Sequence, residues 1–492
     1  MKITVAIVLC CTALAAACGP RSAASRAADT PAAEAAVNTD GAADIPEAAT
    51  AAANTPEGAA DTTGAVDTAV DTAGPPLPEP EFPFRFTLKA APPGMTVSFD
   101  GEVLGGQNAE GGTAVYVVEK RPETQGGGVV SFAAQGYREI RLQSGGIDAL
   151  LKKGQLEIKL ERENSAFEKI AELPTGVQPK SAYFSPDGRR IFVPLLGQHG
   201  VDVFRVEPDL SASVPRFERR LAVPGSGASG FVEAMIDEKR RELWVSNMEE
   251  NRVHMYDLDT LAYTRGVSTG GVMPKVIVQS PDGETTAVSN WLSKNISVFN
   301  SDTKEVSALI PVSGIPRGMA FSDDGKFLYA AIYDGPLIDV IDMNAKKVVS
   351  SYRFHEGGGA ARHVMYRSGM LYVSDMARGT VCILDAASGK PLEERRVGPN
   401  INTIVLTPDG KRIIASSRGR NNPEDYTRPG PEFGAVYVLS ADDLSVEEKI
   451  WGRNQPTGLA VSPGGTMLVF TDFLDANLEV YRISRTRAGE FQ

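Results

Sequence analysis

Ala182-Tyr183-Phe184-Ser185-Pro186-Asp187-Gly188 is an apolar segment running into a tight turn. Pro presets φ at the second turn position, and Gly takes a positive φ at no steric cost. The turn returns as Ser280-Pro281-Asp282-Gly283, Ser322-Asp323-Asp324-Gly325, Thr407-Pro408-Asp409-Gly410 and Ser462-Pro463-Gly464-Gly465. Eroded copies stand at Asp237-Glu238-Lys239 and Arg367-Ser368-Gly369. The steps are about 41 to 55 residues, the period of a β-propeller blade.

Each turn is followed by a strand ending in a small or polar pair, as in Val245-Ser246-Asn247, Val288-Ser289-Asn290, Val373-Ser374-Asp375 and Phe470-Thr471-Asp472. A third strand alternates, as in Ile296-Ser297-Val298, Ile338-Asp339-Val340 and Val381-Cys382-Ile383. Period two marks a strand with one buried face. A fourth carries the chain outward, for example Lys347 to Tyr352. Seven copies fit between residues 178 and 483. The last stops after its third strand, and Phe167 to Leu173 is an orphan strand ahead of the first. Pairing the two closes the ring and removes both sheet edges.

Strings such as Leu243-Trp244-Val245-Ser246-Asn247, Asn251-Arg252-Val253 and Tyr256-Asp257 resemble the YVTN-type β-propeller repeat of bacterial surface proteins. More distantly they resemble seven-bladed lactonases and the haem domain of dissimilatory nitrite reductase. The resemblance implies a fold across residues 165–485 and leaves the activity open. Residues 82–162 read as a separate small antiparallel β-sandwich. Its Pro93-Gly94, Val97-Ser98-Phe99-Asp100-Gly101 and Gly136-Tyr137 elements resemble a PEGA-type domain, a spacer or surface-association module. The fold class expected is therefore all-β: a seven-bladed propeller, a small N-terminal sandwich and a disordered tether.

The address is written at the N-terminus. Lys2, the apolar run Ile3 to Leu14 and small residues before Cys18 form a secretory signal over 1–18 whose end resembles a bacterial lipobox. Lipidation of Cys18 would make the protein an outer-membrane or cell-surface lipoprotein; cleavage after an Ala would make it periplasmic or secreted. Residues 19–80 are rich in Ala, Asp, Thr and Pro and carry ten acids, two Arg and no aromatic residue. Such a stretch buries too little to offset its ordering entropy and reads as a tether reaching roughly 40–50 Å as a coil. It supplies most of the net charge of −12. The folded part is mildly acidic, which argues against a nucleic-acid partner. Cys10 and Cys11 leave with the signal, so no structural disulfide and no covalent c-type haem is expected.

Ligands of propellers meet the face formed by the loops entering each first strand and those joining the second and third strands. The first set aligns Pro179-Lys180, Pro274-Lys275, Pro316-Arg317, Ala361-Arg362, Ile401-Asn402 and Pro456-Thr457. The second adds Trp291, Lys294, Tyr333, Arg378, Arg418 and Arg420. A cationic cluster focuses anions, and Arg grips carboxylate or phosphate with paired donors. The competing reading is descent of solvated blade-tip residues. The insertion 418–434 carries Tyr426 and Phe433 as apolar anchors. His363 is the candidate general acid or base, and a lone His is also an ordinary structural residue. His254 and Cys382 share one third-strand slot. The four His are scattered in sequence, so no metal site is assigned; Asp472, Asp475 and Asn477 could reach one calcium ion, but strand-end Asp and loop Asn are equally ordinary turn residues.

Two functions follow as expectations, with no cofactor in either. One is a membrane-anchored binding module for an anionic glycan, peptide or protein partner through Lys180, Lys275, Trp291, Arg317, Arg362, Arg378, Arg418 and Arg420. The other is a lactonase-like hydrolase or lyase with His363 catalytic. A non-covalent haem on His363 is a third option.

Overall fold

The computed structural model describes residues 82–108, 113–119, 128–150, 155–207 and 214–484. The expected signal peptide, Cys18 and the 19–80 tether lie outside these residues.

From residue 167 onward the described residues form seven four-stranded antiparallel sheets. The second is typical: Phe231–Asp237, Glu242–Asn247, Arg252–Asp257 and Tyr263–Ser268 lie side by side in chain order. The seventh takes Pro456–Val461, Met467–Asp472 and Asn477–Ile483 from the end of the propeller segment and Phe167–Pro174 from its beginning. Ile483 pairs with Phe167 and Asn477 with Pro174, so the orphan strand closes the ring.

The recurring turn is held by its own side chains. Ser280 Oγ donates to Asp282 Oδ1 at 2.6 Å, Asp282 Oδ1 accepts the Glu284 amide at 2.9 Å, and Gly283 sits at φ +74°. The same pattern recurs at Ser185, Ser322 and Thr407. Apolar cores fill the spaces between neighbouring blades, as where Phe192, Val201 and Val203 of the first meet Phe231, Leu243 and Val245 of the second.

The described residues between 82 and 160 form two further four-stranded sheets around Phe86, Phe99, Val130 and Phe132. The expectation of a purely antiparallel unit is corrected in one place: Phe84–Ala91 pairs in parallel with Gln155–Lys159. The intervening chain, which includes a helix over Ser144–Leu150, is long enough for the crossover that a parallel pair requires. These two strands also dock on the propeller. Lys159 Nζ lies 2.5 Å from Glu479 Oε1 in the seventh blade, and Arg453 Nη2 lies 3.4 Å from Glu157. Lys89, 2% exposed, stands over the Phe433 ring at 4.4 Å and hydrogen-bonds Asn454. The small unit is thus fixed to the sixth and seventh blades rather than hung from them as a spacer.

Candidate functional site: a buried cationic channel mouth

The first strand of a blade does not pair regularly along its length. In blades two to seven the register breaks just after its opening residue, between Phe231 and Ala234, Pro274 and Ile277, Pro316 and Met319, Ala361 and His363, Ile401 and Ile404, and Pro456 and Leu459. Such bulges re-aim side chains. Here they hold Lys275, Arg317, Arg362, Asn402 and Thr457. Four of these residues have their carbonyl taken by the blade before. Ser246 Oγ donates to Lys275 O at 2.6 Å, Ser289 Oγ to Arg317 O at 2.9 Å, Ser374 Oγ to Asn402 O at 3.0 Å and Ser416 Oγ to Thr457 O at 2.8 Å. In these four blades the serine near the end of the second strand therefore fixes the backbone of the neighbouring blade's register residue.

Lys180, Lys275, Arg317, Arg362 and Arg418 come together at the mouth of the central channel, each 3–8% exposed. Burial, followed by Arg418, Arg362 and Arg317, holds the Lys180 ammonium well below the usual lysine range. Burial, and then Arg317, pulls Arg362 down to about 9. Glu233, 8% exposed, is the carboxylate whose charge opposes these shifts. Aromatic faces carry several of the cations. Trp291 has Lys275 Nζ at 4.9 Å and Arg317 Cζ at 4.8 Å, with the Tyr333 ring at 5.1 Å. Phe473 has Lys180 at 5.0 Å and Arg418 at 5.6 Å, and Tyr426 of the insertion lies 5.6 Å from Arg418. Arg418 also hydrogen-bonds Gln455, whose amide donates to Tyr426 O at 2.6 Å. Arg362 Nη2 and Asn402 Nδ2 are buried with no hydrogen-bond partner among the described residues.

Below Arg362, His363 lines a central cavity of about 530 Å³ with Tyr183, Met235, Ile277 and Met319. Burial first and Arg362 second hold its imidazole down to about 4, so it is neutral at physiological pH. Glu233 occupies the equivalent position in the second blade and accepts a hydrogen bond from Tyr183 at 2.8 Å. Neutral imidazole, phenol and carboxylate thus face one channel beneath the cations.

Not every expected residue is here. Arg378 and Arg420 are exposed; Arg378 lies 3.8 Å from Glu394 and Arg420 3.2 Å from Glu432. Lys294 is likewise exposed, 3.4 Å from Asp334. Their loops extend past the mouth, where charges pair with nearby acids. Glu233, Tyr183, Phe473 and Gln455 are contributors that the register did not reveal. The second blade has Val232 at the cationic position, which hides its Glu one residue on. His254 binds Glu250 at 2.7 Å and serves the fold. Asp472 Oδ1 accepts the Arg453 amide, Asp475 accepts from Asn454 and Asn477 donates to Glu172, while Asp472 Oδ2 and Asn477 Oδ1 are buried with no hydrogen-bond partner among the described residues.

Fold and site together define a closed seven-bladed propeller with a buried, aromatic-lined cluster of cations at one channel mouth. The family profile described as Lactonase, 7-bladed beta-propeller matches residues 152–351. Antigen Lp49 of Leptospira interrogans is 35% identical over 338 residues, covering 66% of this chain and 72% of that protein. The chain belongs to the same β-propeller family as that antigen. A chain of Kuenenia stuttgartiensis hydrazine synthase shares the fold, with TM-score 0.52 and 20% identity over 63% of this chain and 96% of its own. The lactonase match includes Lys180, Lys275 and Arg317 and stops short of Arg362, His363 and Arg418.

Proposed function

We propose that this is an exported envelope protein, anchored through Cys18 and held out on its 19–80 tether, whose channel mouth binds a small anionic group of a glycan, peptide or protein partner. The YVTN-like strings, the PEGA-like unit and the relative named as an antigen support an envelope role. The observation that carries the binding reading is the mouth itself. Five cations are buried there with Glu233 opposing them, and Arg362 Nη2 has no hydrogen-bond partner among the described residues. Like charges out of water are costly unless an opposite charge arrives, and a carboxylate or phosphate supplies it with paired acceptors for Arg. The low exposure of these side chains favours a compact anionic terminus over a broad polymer face.

A second reading, a lactonase-like hydrolase, is favoured by the family profile and by His363 beneath Arg362. The cations would hold an anionic lactone. Water would attack its carbonyl carbon while His363 takes the proton. The ring C–O bond would then break and the departing alkoxide would regain that proton.

The two readings separate in one experiment. Wild type and an Arg317→Ala/Arg362→Ala variant are screened against acidic glycans, peptides with free C-termini and phosphorylated lactones, with both binding and ring opening followed. Binding without turnover, lost in the variant, supports the first reading. Turnover lost in His363→Ala supports the second. Binding unchanged in the double variant refutes both. Globomycin-sensitive processing, abolished in Cys18→Ser, tests the anchor.

A further inference from the structure

The fifth blade contains a cluster that the channel does not use. His355 lies in the connection from the fourth blade, after the strand Lys347–Arg353, and is 7% exposed. Cys382, in the third strand of the fifth blade, is 2% exposed, and Asp375, at the end of the second, is fully buried. His355 Nε2 lies 3.7 Å from Cys382 Sγ and 3.7 Å from Asp375 Oδ2. On the other side of the ring, His355 Nδ1 lies 3.4 Å from Glu394 Oε2. Glu394 is the direct cross-strand partner of Cys382. His355, Cys382 and Glu394 offer ligand atoms within 4.8 Å of one another.

The slot has ordinary solutions in other blades. In the third, Asn290 Nδ2 donates to Ser297 Oγ at 2.7 Å, and Ser297 Oγ donates to Thr269 O at 2.5 Å. In the seventh, Lys159 and Lys169 reach Glu479. The fifth blade differs. Asp375 Oδ1 does the usual backbone work, accepting the amides of Ala360 and Arg378, both at 3.0 Å. Oδ2 turns inward and has no hydrogen-bond partner among the described residues. A buried carboxylate oxygen left this way is costly. Bond lengths of about 2.3 Å to sulfur and 2.0–2.2 Å to nitrogen or oxygen put tetrahedral donors roughly 3.4–3.6 Å apart. The two separations of 3.7 Å at His355 Nε2 are close to that spacing.

We propose that His355 Nε2, Cys382 Sγ and Asp375 Oδ2 bind one divalent transition ion, zinc by its mixed nitrogen, sulfur and oxygen donors, with the fourth position left to water. Glu394 accepts a hydrogen bond from His355 Nδ1 and orients the ring, the arrangement that ligating histidines commonly show. It is a positioning residue, and its partial exposure marks the route in from solvent. Binding displaces the Cys382 proton to water and leaves a thiolate on the metal. The donors come from the inter-blade connection and two strands of one blade, so the ion would tie the fourth blade to the fifth.

The test is titration of the metal-stripped full chain with Co²⁺, followed by the near-ultraviolet absorption of a thiolate–cobalt bond. One equivalent is expected to saturate the band, and Zn²⁺ is expected to displace it and raise the thermal midpoint. Asp375→Asn is expected to weaken Co²⁺ binding, and Cys382→Ser to abolish the band. Glu394→Gln is expected to keep the band with affinity lower by about 10–100-fold. Absence of the band in wild type overturns the proposal whatever the variants do. Equal Co²⁺ affinity in wild type and Cys382→Ser overturns it too.

Discussion

Arg362 and His363 are adjacent in sequence and face one channel, and the guanidinium bears on the charge of the imidazole. Burial and Arg362 both push the His363 imidazole toward neutrality, to about 4. An unfolded chain would take up that proton near 6.5. Between pH 4 and 6.5 the unfolded state therefore binds more protons, and stability rises with pH through that window. Removal of His363 is expected to flatten this rise: His363→Gln should narrow the difference in unfolding free energy between pH 4 and 6.5 by up to about 2–3 kcal/mol. Urea titrations at the two pH values would measure it, and an unchanged difference would show that the imidazole is solvated. Arg362, pulled down to about 9, predicts the companion behaviour in binding. An anion that favours the charged mouth takes up protons from solution, so affinity should fall as pH rises through about 9. Phosphate titrations across that range would show it, and affinity that holds level would contradict it.

The inner strand and its bulge turn a repeat into a site. Ser289 Oγ holds the Arg317 carbonyl at 2.9 Å. Its removal in Ser289→Ala should cost about 1 kcal/mol of stability and weaken anion binding by more than that loss explains, because Arg317 is released. Parallel melting and titration would separate the two effects. Gly318 follows Arg317 and lets blades four and five close up: a Cβ there would lie 2.7 Å from His363 Cα and 2.8 Å from the Val364 amide. Gly318→Val should therefore destabilise by about 1–3 kcal/mol or more and spread the mouth; a chemical denaturation midpoint at the wild-type value would refute this packing. At this scale the sequence was readable where the pattern was local. Pro-Asp-Gly turns and period-two strands need only neighbouring residues, and the register of Lys275, Arg317 and Arg362 followed from aligning them. Glu233 was hidden because its blade breaks that register at Val232. His355 was hidden because it lies 27 residues from Cys382, and only pairing of strands in three dimensions brings them together. Arg378 and Arg420 were over-read, since a loop's length and not its register decides whether its tip reaches the mouth or the rim.

From residue 167 onward the described residues form a ring closed by the strand Phe167–Pro174, with a small unit bolted to the closing blade. Phe167–Pro174 pairs along Asn477–Ile483, and Glu479 in that strand is buried against Lys159 of the small unit and Lys169. Lys159→Met would leave Glu479 with less compensation in the interior. A buried pair broken on one side costs about 3–5 kcal/mol, and the remaining Lys169 should hold the loss toward the lower end; a scanning-calorimetry midpoint at the wild-type value would show that the contact is incidental. The ring and its closure were legible because an open propeller leaves unpaired edges. The docking of the small unit was not, because a Lys on a strand carries no sign of which distant acid it will meet. The central claim is that the channel mouth is an anion site built from Lys180, Lys275, Arg317, Arg362 and Arg418. Its most direct test is calorimetric titration of the full chain with citrate and inorganic phosphate, beside the Arg317→Ala/Arg362→Ala variant. The account predicts one saturable site whose affinity falls at least about tenfold in the variant, as loss of charge-assisted hydrogen bonds requires; no saturable binding to wild type, or equal binding to both proteins, would contradict it.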